Sequence, residues 1–222
     1  DMGSTSVLML IYHIEDEQLY IIKKKNYSDD IEFEKLRKRE IDNYKIISHP
    51  FLPKFRGITK EKHYLVLEFI NGKTLLDTDI SNYSEIEIFS IIIQILSVID
   101  YLHKNHFIYR DLKPNNIMID QNKTVVLIDF DRMINEKEIN NDKQENDTND
   151  HTNNFALLYA APEINSGKFT KKSDIYSFGK IVNFIMNEKN IKQPIKYLDF
   201  TRLINYCCKE KPNERPRILE TF

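Results

Sequence analysis

The eight residues from Tyr109 to Asn116 (YRDLKPNN) constrain the fold of this chain more than any other segment. Asp111, Lys113 and Asn116 bring a carboxylate, an ammonium group and an amide close together in the sequence. They follow a long segment with helical apolar periodicity, Ser84 to Lys104, and they precede two short apolar runs, NIMID and TVVLIDF. The pattern predicts a polar loop that connects a buried helix to a β-hairpin. A loop that merely caps the helix is the alternative interpretation.

The part of the chain before this loop has the pattern of a small sheet with one helix. Two strands, VLMLIYHI and QLYIIK, are predicted between Val7 and Lys23, and residues Asp29 to Ile47 have a helical period that ends at His49-Pro50. Two more strands are predicted around 54–59 and 64–69, and a turn at Asn71-Gly72 then leads into a part rich in helices. Further helices are predicted at 175–186 and 200–208, the last one ended by the prolines at 212 and 216.

Charge and cysteine content exclude several classes of protein. The 32 Lys and Arg residues against 34 Asp and Glu residues give a net charge of −2, so no chain-wide basic field favours a nucleic-acid partner. Cys207 and Cys208 are neighbours, which suits neither a disulfide framework nor a metal site and favours a reducing, cytoplasmic (intracellular) location. Polar residues interrupt the longest apolar stretch, Ile86 to Leu102, so neither a membrane span nor a signal peptide is expected.

The segment from Tyr109 to Asn116 resembles the catalytic loop of protein kinases. The resemblance implies that Asp111 accepts the proton of an attacking hydroxyl group, that Lys113 neutralises the transferring phosphate, and that Asn116 offers its amide oxygen to a magnesium ion. Thirteen residues after Asn116, Asp129 in the segment IDFD resembles the metal-binding aspartate of the family's Asp-Phe-Gly motif. Asn116 and Asp129 are therefore the predicted ligands of Mg²⁺, which would bridge the phosphates of ATP.

A lysine and a glutamate in the first part of the chain resemble the nucleotide-binding pair of the family. The strand YIIK ends at Lys23, although Lys24 and Lys25 compete for the same role. Glu40 lies nine residues before His49-Pro50, which matches the family helix whose glutamate pairs with that lysine. The resemblance implies a Lys23–Glu40 pair that holds the ammonium group against the α- and β-phosphates. Two solvated surface charges are the alternative.

The segment YLVLEFING resembles the last strand of the small lobe and the hinge that follows it. Adenine is expected to bind the backbone carbonyl of Glu68 and the amide of Ile70, since such recognition needs no particular side chain. Leu67 is the expected gatekeeper residue, and Met118 is also assigned to the nucleotide site. A plain core strand followed by a turn is the alternative interpretation.

Three later features resemble structural motifs of the family. They are Ala161-Pro162-Glu163, the segment from Ser173 to Gly179, and Arg215 near the end of the chain. The resemblance implies an ion pair between Glu163 and Arg215, and it implies that Asp174 fixes the backbone of the catalytic loop. It also implies an apolar stack through both lobes made of Tyr44, Phe55, Tyr109 and Phe130.

The chain departs from the family pattern at several positions. Counting back from Lys23 places Asp1, Gly3 and Ser6 at the three positions of the glycine-rich loop, with Leu8 as the apolar residue over adenine. Only Gly3 is a glycine, so backbone amides approach the phosphates less closely. Ile21 narrows the adenine pocket, Asp131 replaces the glycine of Asp-Phe-Gly, and Ala156 stands where a threonine is usual. Asp131 is expected either to restrict a flip of Phe130 or to draw in another cation.

The polar segment from Asn135 to Asn154 has almost nothing apolar to bury and predicts a solvated or disordered loop. Its hydroxyl residues in the polar middle are Thr148 and Thr152. A phosphate on either threonine, docked on Arg110, is one hypothesis for regulation. A loop without such a switch is the other.

These features together predict an α+β, two-lobed protein kinase-like fold, with a small antiparallel-sheet N-lobe at 1–70 that lacks its first strand and a mainly helical C-lobe at 71–222. The expected function is ATP- and Mg²⁺-dependent phosphorylation of serine and threonine hydroxyls in protein substrates. A pseudokinase that acts as a nucleotide-binding or scaffold module, with weak or no turnover, is the alternative. The oligomeric state stays open.

Overall fold

The computed structural model describes residues 6–25, 31–60, 64–138, 157–188 and 200–218. The first part is a four-stranded antiparallel sheet with one helix, and the sheet has the strand order β1-β2-β4-β3. In chain order its elements are β1 Ser6–His13, β2 Gln18–Lys25, α1 Ile31–Ile46, β3 Phe55–Ile58 and β4 Leu65–Glu68. All five elements were predicted from the sequence.

The second part is mainly helical. A three-stranded sheet of order β5-β7-β8 and a two-stranded sheet of β6 and β9 lie among its helices. In chain order the elements are β5 Gly72–Thr74, α2 Glu85–Lys104, β6 Phe107–Ile108, β7 Ile117–Asp120, β8 Val125–Leu127, β9 Ile134–Asn135, α3 Lys171–Glu188 and α4 Phe200–Cys207. The predicted α+β fold class with a small sheet lobe and a helical lobe is confirmed.

The long helix α2 begins with a capping box and runs through the core of the second part. The Ser84 side chain accepts a hydrogen bond from the Glu87 amide, and the Glu87 carboxylate accepts one from the Ser84 amide, so two amides at the helix start are satisfied. By length and hydropathy α2 could cross a membrane. Its apolar side is nevertheless buried in the protein core, from Ile88 to Leu102, as is usual for a central helix.

The connection between the two parts is a tight turn that requires a glycine. The Gly72 amide donates to the Ile70 carbonyl over 3.0 Å, and β5 then pairs with β7 of the second part. A Cβ atom on Gly72 would lie 2.3 Å from the carbonyl oxygen of Ile119, closer than any side chain can approach. The predicted turn at Asn71-Gly72 is therefore present, and Gly72 is also the first residue of a short strand.

Two details of the predicted boundaries differ in the structure. The last helix, α4, ends at Cys207, one residue before its predicted end, but the prolines expected to stop it lie further on, and Pro212 begins a 3₁₀ helix at Pro212–Glu214. Asn135, expected in a solvated loop, pairs with Phe107 of β6. Pairing between distant segments sets this boundary, and a local polar composition does not reveal it.

Candidate active site

Three polar side chains of the loop after β6 are hydrogen-bonded to one another. The Lys113 ammonium group donates to both carboxylate oxygens of Asp111, over 3.0 and 2.8 Å. The Asn116 amide nitrogen donates to the Asp111 backbone carbonyl and to its Oδ2, each over 2.8 Å. A 3₁₀ helix at Pro114–Asn116 places Asn116 for these contacts. Because Asn116 uses its nitrogen here, its amide oxygen is the atom suited to a metal ion.

The backbone of this loop is held by Asp174, which lies in the first turn of α3. Its two carboxylate oxygens accept hydrogen bonds from the backbone amides of Tyr109 and Arg110, each over 2.9 Å. Oδ2 also lies 2.8 Å from His103 Nε2. Arg110 has a φ of 72°, a left-handed conformation that costs on the order of 1–3 kcal/mol in a residue other than glycine. The buried Asp174 carboxylate offsets that strain and fixes the loop, as predicted.

Asp129 follows β8 and faces the cleft. Its φ is 68°, again left-handed, and 36% of its side chain is exposed. The Ile128 amide donates to the Asn116 carbonyl over 2.9 Å, so a backbone hydrogen bond links the segments that carry Asp129 and Asn116. Burial raises the pKa of Asp129, Lys23 lowers it, and the neighbouring Asp131 raises it again, with a raised pKa as the net result.

Lys23, on β2, contacts three carboxylates at once. Its Nζ lies 2.7 Å from Glu40 Oε1, 2.8 Å from Asp129 Oδ1 and 2.9 Å from Asp131 Oδ1. Both Lys23 and Glu40 are buried. Burial alone would lower the pKa of Lys23, but the carboxylates of Asp129, Glu40 and Asp131 outweigh that effect and hold its pKa well above the usual range. The lysine therefore stays charged.

Lys23, Asn116 and Asp129 form the polar end of a cleft of about 300 Å³ between the sheet and the helical part. Its walls come from both parts of the chain, and most of their surface is apolar. The lining residues are Ser6, Leu8, Ile21, Lys23, Tyr44, Pro53, Leu67, Glu68, Phe69, Ile70, Asn116, Met118, Ile128 and Asp129. An apolar slot that ends in a lysine, a carboxylate and an amide suits a flat ring joined to phosphates.

A family model, that of the protein kinase domain, matches residues 2–197. The chain belongs to the protein kinase family. It is 32% identical over 197 residues to calcium-dependent protein kinase 5 of Plasmodium berghei, and the matched region covers 82% of this chain and 34% of that relative. It is 30% identical over 188 residues to the serine/threonine-protein kinase PrkC of Bacillus subtilis, and the matched region covers 81% of this chain and 28% of that relative. The chain thus spans about a third of the length of these two relatives.

The kinase cleft brings together most of the residues that sequence reasoning assigned to it. Asp111 and Lys113 line a second, smaller pocket instead, and Glu40, which pairs with Lys23, lines neither. Gly3, Thr148, Thr152 and Ala156 lie outside the described residues. The assigned residues found in the lining are Leu8, Ile21, Lys23, Leu67, Glu68, Ile70, Asn116, Met118 and Asp129. Their roles in binding ATP stay predictions.

The choice of Lys23 over Lys24 agrees with the geometry. The Lys24 ammonium group lies over the ring of Tyr64, 5.9 Å from its centre, on the other face of the strand from Lys23. Alternation along a strand sends successive side chains to opposite faces, so of these two lysines only Lys23 reaches Glu40.

The expected stack of rings links the two kinase lobes. The ring of Tyr44 lies 4.9 Å from that of Phe130 and 6.4 Å from that of Phe55. The Phe130 ring lies 5.8 Å from that of Tyr109, whose hydroxyl donates to the Ile128 carbonyl over 2.5 Å. Phe130 itself is fully buried. The stack therefore ties α1 to the segment that carries Asp129.

The predicted pair of Glu163 and Arg215 is also present. The guanidinium group of Arg215 donates to both carboxylate oxygens of Glu163, over 2.6 and 2.8 Å, and three backbone carbonyls accept its remaining hydrogen bonds. The Arg215 side chain has no exposed surface. Although burial raises the pKa of Glu163, the hydrogen bonds from Arg215 and Ser173 lower it below the usual value.

Sequence reasoning missed two features of the site. It left open whether Asp131 restricts a ring or draws in a cation, and the structure shows that Asp131 contacts Lys23. It also missed a small pocket beside Asp111 that is lined by Arg110, Lys113, Arg132 and Phe169, where the guanidinium group of Arg110 lies 3.8 Å from the ring centre of Phe169. Neither contact has a local sequence signal, because each joins segments far apart in the chain.

Proposed function

We propose that this chain is an active protein kinase that transfers the γ-phosphoryl group of ATP to serine or threonine hydroxyls of protein substrates. The observation that carries the proposal is the hydrogen-bonded set of Asp111, Lys113 and Asn116, in which Asn116 also lines the cleft that holds Lys23 and Asp129. The donor chemistry fits the cofactors of the family, since the Asn116 amide oxygen and the Asp129 carboxylate are the oxygen ligands that Mg²⁺ prefers. Mg²⁺, when bound, neutralises charge on the phosphate oxygens.

Each polar residue then has one role in the transfer. Asp111 orients the substrate hydroxyl and accepts its proton while the oxygen–phosphorus bond to the substrate forms and the bond to the ADP leaving group breaks. Lys113, held against Asp111, stabilises negative charge on the phosphoryl group in flight. Lys23 binds the phosphates that remain on the nucleotide, and the segment from Glu68 to Ile70 binds adenine through its backbone.

Serine/threonine specificity is supported by two observations. Lys113 follows Asp111 by two positions and is followed by Pro114, which resembles the loop of serine/threonine kinases. PrkC of Bacillus subtilis carries that specificity in its name. The cytoplasmic location expected from cysteine usage stays part of this proposal.

The second candidate is a pseudokinase that binds nucleotide or a partner without turnover. It is favoured by Asp131, which stands at the position where the family has a glycine and whose carboxylate pairs with the ammonium group of Lys23. The lack of glycine at Ser6, which lines the cleft, points the same way. Against it stands the presence of every predicted polar catalytic group.

The test combines nucleotide binding with turnover for the wild type and for Asp111→Asn. Thermal shift with ATP, with and without Mg²⁺, reports binding, and transfer of labelled phosphate to a generic serine/threonine substrate reports turnover. We expect Asp111→Asn to lose turnover by about 10³-fold or more and to keep its ATP shift, because Asp111 orients the hydroxyl and does not hold the nucleotide.

Asp100→Asn is the matched control, since it removes a carboxylate that pairs with Lys104 on the surface of α2. It should leave both readouts unchanged. Wild-type turnover in Asp111→Asn would refute the assignment of the catalytic loop. An ATP shift without any turnover in the wild type would select the pseudokinase.

A further inference from the structure

The position after Phe130 holds a carboxylate that reaches the nucleotide lysine. Asp131 Oδ1 lies 2.9 Å from Lys23 Nζ, and 19% of the Asp131 side chain is exposed. In the family motif that Asp129 and Phe130 resemble, this position is a glycine and carries no charge. The contact is therefore a property of this chain and not of the motif.

The three carboxylates use all the hydrogen-bonding capacity of the lysine. An ammonium group has three N–H donors, and Glu40, Asp129 and Asp131 each accept a hydrogen bond from Lys23. A phosphate oxygen can bind Lys23 only if one of these acceptors withdraws. Glu40 is the most buried of the three, at 2% exposed, and Asp129 is a predicted metal ligand. Asp131 is thus the acceptor that competes with the nucleotide.

The cluster also carries excess negative charge before any nucleotide enters. Carboxylate oxygens of Glu40, Asp129 and Asp131 all lie within 4.8 Å of one another. The three ionised carboxylates outnumber the single positive charge of Lys23, so the cluster has a net charge of −2. The phosphates of a nucleotide add further negative charge at this end of the cleft, where low polarity and partial burial keep the repulsion strong.

We propose that Asp131 is a positioning residue that makes nucleotide binding depend on divalent metal more steeply than a glycine at this position would. It holds Lys23 away from the phosphates and adds a charge that a bound cation must offset. Metal-free nucleotide binds weakly as a result, whereas metal-bound nucleotide brings the compensating charge and competes with Asp131 for Lys23. This inference rests on the proposed use of ATP and goes beyond it, because it assigns the metal requirement of binding to one side chain.

The experiment measures ADP affinity by calorimetry in EDTA and at stepped Mg²⁺ concentrations, so that no turnover is involved. It compares the wild type with Asp131→Asn, which keeps the shape and removes the charge, and with Asp131→Gly, which also removes the side chain. In EDTA we expect both variants to bind ADP at least about tenfold more tightly than the wild type. The slope of log Kd against log[Mg²⁺] should be shallower in both variants.

Asp42→Asn is the matched control, because Asp42 is a half-exposed residue of α1 that pairs with Lys45. The ADP affinity of Asp42→Asn, and the slope of its log Kd against log[Mg²⁺], should equal those of the wild type. Unchanged metal dependence in both Asp131 variants, beside normal binding of Mg²⁺-ADP by the wild type, would overturn this inference alone. An effect of Asp131→Gly without one of Asp131→Asn would overturn it too, since it would assign the effect to the backbone. Failure of the wild type to bind Mg²⁺-ADP would overturn the proposed function, and this inference with it.

Discussion

The two aspartates Asp111 and Asp129 face different cations. Asp111 is bound by the ammonium group of Lys113 and the amide of Asn116, all within one short loop. Asp129 is bound by Lys23, which comes from the opposite lobe. Because each carboxylate has its own cation, one can act on a hydroxyl group while the other holds a metal ion. The sequence separation of these partners explains why the first set is recognisable locally and the second is not.

Asp129→Ala should remove the metal dependence of ATP binding. Asp129 is the predicted charged metal ligand of the cleft, and the neutral amide of Asn116 binds Mg²⁺ too weakly to replace it. We expect the Kd for ATP in Mg²⁺ to rise by about 10²-fold, to nearly the value in EDTA. Calorimetric titration in the two buffers is the measurement.

The control for this variant is Asp120→Asn, which changes an acceptor in the turn between β7 and β8, outside the cleft. It should lower stability slightly and leave the ATP affinity in Mg²⁺ unchanged. Equal ATP dissociation constants for Asp129→Ala and wild type in Mg²⁺ would contradict the metal role.

Among the elements, α3 does the most to shape the catalytic loop without entering the cleft. Asp174 in its first turn binds the amides of Tyr109 and Arg110, and Ser173 beside it donates to Glu163. The start of this helix therefore anchors both the catalytic loop and the segment at Pro162–Ser166. Loss of such an anchor would shift catalytic groups by fractions of an ångström, which is enough to slow a positioned reaction.

Removing one partner of the Glu163–Arg215 pair should be strongly destabilising. Its arginine is fully covered, so Arg215→Ala leaves the Glu163 carboxylate without its cation and several backbone carbonyls without donors. We expect the free energy of unfolding to fall by about 3–5 kcal/mol, measured by urea denaturation. Lys45→Ala, which breaks the exposed pair with Asp42, should cost less than about 1 kcal/mol. Equal costs for the two variants would show that burial of the arginine contributes nothing.

The same pair gives a pH dependence whose sign follows from the lowered pKa of Glu163. A carboxyl group with a lower pKa in the folded state stabilises the fold above its unfolded pKa, ordinarily 4.5. That stabilisation is lost as the pH falls from this value through the folded pKa. Glu163→Gln should therefore be less stable than the wild type at neutral pH and should lose less stability over that acid range.

At the scale of the whole molecule, the sequence predicted elements with a clear period and missed those that depend on distant partners. The long helix α2 and the paired strands β1 and β2 carry strong local patterns, and their observed bounds lie close to the predicted ones. The short strands β5, β6 and β9 have two or three residues each and exist only because another segment pairs with them. Local hydrophobic periodicity does not predict strands this short.

The candidate site divides in the same way. The residues at 109–116 and Asp129 could be assigned from motif and spacing, because the chain itself holds them near one another. The contact between Lys23 and Asp131 could not be assigned, since it depends on how closely the two lobes approach each other. That approach is set by packing in the core, including the ring stack of Tyr44, Phe55, Phe130 and Tyr109.

The ring stack leads to a prediction about the coupling of the two lobes. Tyr44 is 3% exposed, lies on α1 four residues after Glu40, and contacts the ring of Phe130 next to Asp129. Tyr44→Ala should lower the free energy of unfolding by about 3–5 kcal/mol through the cavity it leaves. It should also weaken ADP binding in Mg²⁺, because α1 and the Asp129 segment lose the contact that holds Glu40, Lys23 and Asp129 in register. Urea denaturation and calorimetry measure the two effects.

Two further variants separate coupling from general loss of stability. Tyr44→Phe keeps the ring and should cost less than about 1.5 kcal/mol, with ADP affinity nearly unchanged. Ile41→Ala empties a buried site on the same helix that does not line the cleft, so it should cost about 2–5 kcal/mol and leave ADP affinity near that of the wild type. If Ile41→Ala weakened ADP binding as much as Tyr44→Ala, the effect would belong to the stability of α1 in general. A selective loss in Tyr44→Ala assigns the effect to the Tyr44 side chain itself, which contacts the Phe130 ring and also lines the cleft.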